Sequence, residues 1–319
     1  MAKPKVIAVV GPTASGKSSL GIFLAQKLGG TPRGKMGEVV SADSRQVYRG
    51  LDIGTGKVTK KEMDGVPHHL LDVASPKKQF SASDFVKKAS EAVISIYGND
   101  GIPIVVGGTG FYVDALLGRI MLPDVPPNKK LREQLERHTT ERLYAMLKKK
   151  DPMRAKTIEP AHKRRLVRAL EVAEFRRRQT THTRALRGAS PGPTLALNSL
   201  ETPEYRVLWL GLNPGELKLK KNIHARLLAR MRSGMVLEAK RLHTQGLSYK
   251  RMEELGLEYR SLAKFLQKKI SKKELEEEIE RGSWLYAKRQ MRWFLRNPDI
   301  HWVKNKAEAL RLAKQFLSR

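Results

Sequence analysis

Cysteine is missing from this 319-residue chain. That removes disulfides, thiolate zinc sites and cysteine nucleophiles at once. Long apolar runs are missing too. Beyond Lys3 and Lys5 the run Val6-Ile7-Ala8-Val9-Val10 spans five residues, against the roughly 20 that a membrane-spanning helix needs. It reads as a strand and not as a signal peptide. Acidic residues are scarce: 32 Asp and Glu face 62 Lys and Arg, a formal net charge of +30. The scarcity is uneven. Residues 1–120 hold 16 basic and 10 acidic residues, whereas residues 121–319 hold 46 and 22. Such an excess fits a polyanionic partner larger than a diphosphate, with counterion release favouring binding. Solvated helix faces of a Lys-rich chain account for part of it. The hydrophobic share of 40% is ordinary for a globular protein. The length allows one large or two modest domains with an ample core.

The most informative stretch that is present is Gly11-Pro12-Thr13-Ala14-Ser15-Gly16-Lys17-Ser18. It satisfies GxxxxGK[ST] at every fixed position. The aliphatic run before it reads as a buried parallel strand, and Ser19–Leu28 after it reads as a helix. In such a loop, backbone N–H groups and a helix N-terminus converge on phosphate oxygens. Lys17 supplies a point charge, and the Ser18 hydroxyl can reach Mg²⁺. The pattern implies binding of a di- or triphosphate. It does not say which one.

Short aliphatic runs alternate with helical patterns over residues 1–120. Strands are expected at Glu38–Ser41 and Ile102–Gly108, with a helix over Ser81–Tyr97 capped by Ser83 or Ser81. The alternation predicts an α/β fold, a P-loop parallel sheet flanked by helices. Residues 121–195 differ. Pro123, Pro126 and Pro127 open the region, charged helical segments follow around Lys130–Lys149 and His162–Arg178, and Ser190-Pro191-Gly192-Pro193 closes it. With 19 basic and 8 acidic residues, it reads as a mainly helical insertion domain. Residues 1–120 and 196–319 then form the core. Val207–Gly211 resumes the sheet, followed by helical patterns near Leu217–Gly234, Val236–Gln245, Leu257–Lys268 and Lys272–Asn297, the last capped by Ser271. Residues 31–35 look like a small insertion before the second strand.

Two strand ends carry polar groups. Asp43, just after the second strand, falls at the ligand crevice of a parallel sheet. It reads as a Mg²⁺-binding carboxylate, a general base, or the side chain of an Asx turn. Gly107-Gly108-Thr109-Gly110 brings backbone and a hydroxyl to the same edge, although a tight βα turn explains the glycines equally well. His68 and His69 are adjacent on an extended segment and so point to opposite faces. A structural or substrate-contact role fits them better than joint metal ligation. Two basic clusters, His162–Leu170 and Tyr286–Phe294, mix cations with apolar or aromatic residues. This suits single-stranded RNA, and it also suits amphipathic helices with one face in the core.

Six segments in this order resemble the tRNA dimethylallyltransferase (tRNA isopentenyltransferase) family over nearly the whole chain: GPTASGKS at 11–18, SADSRQVYRGLDIGTGK at 41–57, VPHHLLD at 66–72, VVGGTGFYVDALL at 105–117, RRLVRALEV at 164–172 and AKRQMRWF at 287–294. The absence of any cysteine zinc finger implies the bacterial type. The resemblance implies transfer of a dimethylallyl group from dimethylallyl diphosphate to the exocyclic N6 amine of adenine 37, next to the tRNA anticodon. It implies that Gly11, Pro12, Thr13, Ala14, Ser15, Gly16, Lys17 and Ser18 hold the diphosphate, with Ser18 on Mg²⁺. Asp43 becomes the general base, Thr109 a hydrogen-bond partner of the bridging or leaving oxygen, and Arg226 a diphosphate clamp. Asp43, Ser44, Arg45 and Gln46 match the segment around the extruded nucleotide. Arg132, Arg164, Arg165, Leu166, Val167 and Arg168 match tRNA contacts in the anticodon stem-loop. The expected enzyme is a cytoplasmic monomer. The chain departs from the family at Gly56-Lys57-Val58, at Gly110, and loosely at Gly256–Arg260.

Three rivals share the loop. A small-molecule kinase would not need the basic second part, and measured phosphoryl transfer from ATP would favour it. A prenyltransferase for free adenine nucleotides would prefer AMP over tRNA as acceptor. An RNA-binding ATPase would show RNA-stimulated hydrolysis without prenyl transfer.

Overall fold

The computed structural model of the chain describes residues 3–29, 36–187 and 204–318. The insertion expected at 31–35 and the turn at 190–193 lie outside the described residues, as does the expected boundary at 195. The chain divides into two compact units, residues 1–120 with 202–319, and residues 121–201.

The first unit opens with β1 (Lys5–Val10), α1 (Lys17–Lys27), β2 (Gly37–Ser41), α2 (Lys60–Met63), β3 (His68–His69), α3 (Ala82–Gly98), β4 (Ile102–Gly107) and α4 (Gly110–Leu116). The second unit holds α5 (Lys129–Glu136), α6 (Thr140–Lys150), α7 (Pro152–Ala155) and α8 (Lys163–Arg187). The first unit then resumes with β5 (Arg206–Gly211), α9 (Glu216–Arg232), α10 (Met235–Thr244), α11 (Tyr249–Glu254), α12 (Leu257–Leu266), α13 (Lys272–Phe294), β6 (Ile300–Trp302) and α14 (Lys306–Ser318).

The six strands form one sheet in the order β3-β2-β4-β1-β5-β6, every pair parallel. A parallel sheet needs both faces covered, and the strand sequences meet that demand. Val6–Val10 are all fully buried. On one face Ile7, Val9, Ile104, Val106 and Leu210 pack with Leu20 and Leu24 of α1, and Ala309 and Ala313 of α14 close that layer. A second core gathers the helices after β5 around Leu227, Met252, Tyr259, Leu262 and Ile279. The strand register places the ends of β1, β4 and β2 side by side: Val9 pairs with Val106, and Val106 with Ser41. Three segments expected to matter therefore start from adjacent strand ends.

Helix caps follow the sequence signals. Ser81, and not Ser83, caps α3 in a reciprocal capping box with Asp84, and Ser271 does the same with Glu274 for α13. The segment read around Lys130–Lys149 is two helices. Thr139 interrupts it because its hydroxyl accepts the Arg142 N–H at 3.3 Å and starts α6 afresh.

Candidate active site

The loop Gly11–Ser18 leaves β1 and turns into α1, with Gly16 at the N-cap in the left-handed region. The Ser15 hydroxyl is buried and has no hydrogen-bond partner among the described residues. Lys17 Nζ donates to the Pro12 carbonyl at 2.6 Å. Burial, aided by the neighbouring Arg226, pulls the Lys17 ammonium down to about 8, with Asp43 opposing. Burial also lowers Arg226, with Arg230 adding to the effect and Glu258 and Asp43 opposing. Arg226 Nη2 donates to the Gly56 carbonyl at 2.7 Å. Neither Lys17 nor Arg226 is ion-paired with a carboxylate among the described residues. Two desolvated cations held only by carbonyl oxygens gain most from an anionic ligand.

Asp43 lines the same cleft as Lys17, Ser18 and Arg226. Its Oδ1 accepts the N–H groups of Arg45 at 2.8 Å and Gln46 at 3.3 Å. The Asx-turn reading is therefore correct. It does not exclude the others, because Oδ2 accepts nothing from the described residues. The turn fixes the carboxylate and leaves one oxygen for the cleft. Thr109 follows the end of the neighbouring strand β4. Its Oγ1 accepts the Ser44 N–H at 3.1 Å and lies 3.4 Å from Ser44 Oγ. Asp43, Thr109, Lys17 and Arg226 are thus brought together in one unit.

The surrounding loop 51–57 is held from outside. Buried Glu238 accepts the N–H groups of Asp52 at 3.0 Å, Ile53 at 2.7 Å and Gly54 at 2.9 Å, and the Tyr259 hydroxyl at 2.6 Å. Gln46 Nε2 and Arg226 both bond Gly56 O. The departure at Gly56 has a local reason. Its φ is +59°, and an added Cβ would fall 2.3 Å from Arg226 Nη2. The Glu238 anchor has no sequence signal, since its partners are backbone amides some 185 residues away.

His68 and His69 point apart, as expected for a strand. His69 Nε2 meets Glu38 Oε2 at 2.6 Å, while His68 Nδ1 meets Val66 O at 2.8 Å and its ring lines the cleft. Among the described residues no group of three or more acidic or His side chains gathers to hold a metal.

The residues expected to contact tRNA separate into two kinds. Arg164 and Arg165 are exposed at the start of α8. Leu166 and Val167 are buried in the core of the second unit with Leu143, Leu147 and Leu170, so their side chains cannot reach RNA. Arg132 and Arg168 are half-buried against Glu171, which is 1% exposed. Arg132 grips it with Nε at 2.8 Å and Nη2 at 2.7 Å; Arg168 Nη1 adds a bond at 2.5 Å and the Asn128 N–H one at 2.6 Å. Burial alone would raise the Glu171 carboxyl. The bonds from Arg132 and Arg168 overcome it and hold the group below the usual carboxylate range. In the Tyr286–Phe294 cluster the core reading holds for Phe294, which is buried, and Trp293 Nε1 is tied to Asp114 Oδ2 at 2.8 Å. Tyr286 and Gln290 line the cleft.

Comparison with known proteins identifies the family. The family model described as IPP transferase matches residues 46–297. The chain is 34% identical over 316 residues to tRNA dimethylallyltransferase 1 of Geotalea uraniireducens, covering 98% of this chain and 96% of the relative. It superposes on the full-length tRNA isopentenylpyrophosphate transferase of Bacillus halodurans with a TM-score of 0.69 and 32% identity, covering 99% and 97% of the two chains. A eukaryotic dimethylallyltransferase described as acting on tRNA matches with a TM-score of 0.79 and 25% identity, covering 99% of this chain and 80% of that one. The resemblance drawn from six segments and the parallel-sheet fold both hold: this chain belongs to the IPP transferase family, the tRNA dimethylallyltransferases.

Proposed function

We propose that this enzyme transfers a dimethylallyl group from dimethylallyl diphosphate to the N6 amine of adenine 37 in tRNA, releasing diphosphate. The observation that carries the reading is that Lys17 and Arg226, neither in a salt bridge among the described residues, share one cleft with a fixed carboxylate, Asp43. An adenine amine is a weak nucleophile, because its lone pair is delocalised into the ring. As N6 bonds to the allylic carbon, the C–O bond to diphosphate breaks and its electron pair leaves with the diphosphate. Asp43 Oδ2 takes the N6 proton. Lys17, Arg226 and the loop amides stabilise the charge growing on the leaving group. Thr109 donates its hydroxyl hydrogen to the leaving oxygen in exchange for its resting contacts at Ser44. The target adenine must leave its stack to reach the allylic carbon. Ser44, Arg45 and Gln46, beside Asp43, would meet it, and exposed Arg164 and Arg165 would contact RNA phosphates.

The donor set fits Mg²⁺, which binds through few protein oxygens plus substrate phosphates and needs no all-protein cage. Ser18, exposed at the start of α1 with its hydroxyl bonded to nothing among the described residues, would hold it. When bound, Mg²⁺ would neutralise diphosphate charge. The enzyme is proposed to act as a monomer, since every group of the proposed chemistry lies in one unit of one chain. We place it in the cytoplasm with its tRNA substrate. No described helix is long and apolar enough to cross a membrane.

The test is incubation with labelled dimethylallyl diphosphate, Mg²⁺ and an anticodon stem-loop, followed by mass analysis of the nucleosides. The expected product is N6-dimethylallyladenosine at position 37. Steady ATP hydrolysis for which dimethylallyl diphosphate does not compete would overturn the reading.

A further inference from the structure

Helix α13 presents Tyr286, Gln290 and Trp293 at positions i, i+4 and i+7, hence on one face. All three meet the turn from Gly107 to Gly110. Burial and Asp43 push the Tyr286 phenol up to about 12, with the nearby Thr109 hydroxyl opposing them. The Trp293 ring packs on Gly110. Gln290 Nε2 donates to the Gly108 carbonyl at 2.7 Å. Only Gln290 of the three also reaches the phosphate loop, its Oε1 accepting the Thr13 N–H at 2.8 Å. Gln290 is 6% exposed, so water competes little for either bond. One planar amide thus spends its acceptor on the loop that would hold the diphosphate and its donor on the turn that carries Thr109. Glutamate would keep the acceptor and lose the donor; alanine would lose both. The backbone is shaped for this contact: a Cβ at Gly108 would fall 2.3 Å from Gln290 Nε2.

We propose that Gln290 is a positioning residue for prenyl transfer, clamping the phosphate loop to the Thr109 turn at a fixed separation. The proposal rests on the transfer reading given above. Under it, the leaving diphosphate and the Thr109 hydroxyl keep their alignment only while both amide bonds hold. Misplacement by even 1 Å costs rate without unfolding the site.

The experiment compares wild type, Q290A, Q290E, G108A and the double variant G108A/Q290A. Three quantities are read: kcat and donor KM in transfer to a stem-loop, affinity for inorganic diphosphate by calorimetry, and the thermal midpoint. Q290A and Q290E are each expected to lower kcat about tenfold or more, with a raised donor KM and weakened diphosphate binding, while the midpoint moves little. G108A should resemble Q290A because it displaces the same amide. In the Q290A background G108A should add less than about twofold, since the clash partner is gone. Q290E retains the side chain's volume, so loss of packing in Q290A cannot mimic the result. Values of kcat, KM and diphosphate affinity within about twofold of wild type in both Gln290 variants would overturn the proposal. So would effects of G108A and Q290A that multiply. If the wild type itself transfers no prenyl group, the transfer reading falls, and the diphosphate titration still decides the clamp.

Discussion

The cations of the cleft and the cations of the second unit solve opposite problems. In the cleft, Lys17 and Arg226 are desolvated, and among the described residues their hydrogen bonds go to the carbonyls of Pro12 and Gly56 and not to a carboxylate. In the second unit, Arg132 and Arg168 share buried Glu171, and Lys150, Arg177 and Arg178 crowd around Glu174. Those partners, Arg177 first and then Lys150, hold the Glu174 carboxyl down to about 2. A cation whose counter-charge is built into the fold supports the fold. A cation left without one is ready for a ligand. Net charge alone does not distinguish the two, and the second unit's excess of Lys and Arg overstates its unpaired positive charge. Arg164 and Arg165 are the members of its basic motif that remain exposed.

The comparison breaks most visibly if the cleft's acid and cations prove dispensable. Asp43→Asn keeps an oxygen for the Arg45 and Gln46 N–H groups and removes the base. Turnover is expected to fall on the order of 10²-fold or more, with tRNA affinity little changed. Single-turnover transfer measures this, and near-normal turnover would end the base assignment. Next in size, Lys17→Ala or Arg226→Ala should weaken dimethylallyl diphosphate by about tenfold to 10²-fold, read by calorimetry. Unchanged donor affinity in both would place the anion elsewhere.

Two further variants sharpen the other side. Glu171→Gln leaves Arg132 and Arg168 without their buried counter-charge. It should cost the second unit on the order of 2 kcal/mol, at the low side for buried pairs because both arginines are about a third exposed. Thermal unfolding and proteolysis report it, and donor affinity should not move. A stable variant that bound tRNA more tightly would mean Glu171 masks RNA-binding cations. Smallest, Arg164→Ala with Arg165→Ala should lower tRNA affinity and flatten its salt dependence by up to about two units. Arg168 is left out of that variant because its loss would report stability as well as RNA contact.

Much of the site was legible because its parts are contiguous or sit at strand ends. The phosphate loop, its strand and its helix occupy one stretch of chain, and Asp43 and Thr109 follow aliphatic runs whose C-terminal ends face the crevice of any parallel sheet. Less legible was which face of a helix is buried. Leu166 and Val167 sat inside a basic motif, and their place in the core depends on the phase of α8 against α6. Gln290 was least legible. Its partners lie 277 and 182 residues away, and nothing local marks one glutamine among cations and aromatics. Likewise β6 has three residues and α11 six, too few to show a period.

The most direct test of the contrast is the pH dependence of donor binding. With Lys17 drawn down to about 8 by burial and Arg226, a bound diphosphate should raise it again. Its ammonium is present below about 8 and lost above, so affinity should be highest below pH 8 and fall as pH rises beyond it. The esterified diphosphate of the donor no longer titrates there, its last proton leaving at roughly pH 6, as for a phosphate monoester. Calorimetric titration of dimethylallyl diphosphate between about pH 7 and 9.5, in buffers of different ionisation enthalpy, reads affinity and proton uptake together. The expected result is weakening above pH 8 with uptake of up to one proton, both abolished in Lys17→Ala. A flat affinity with no proton uptake in the wild type would contradict it.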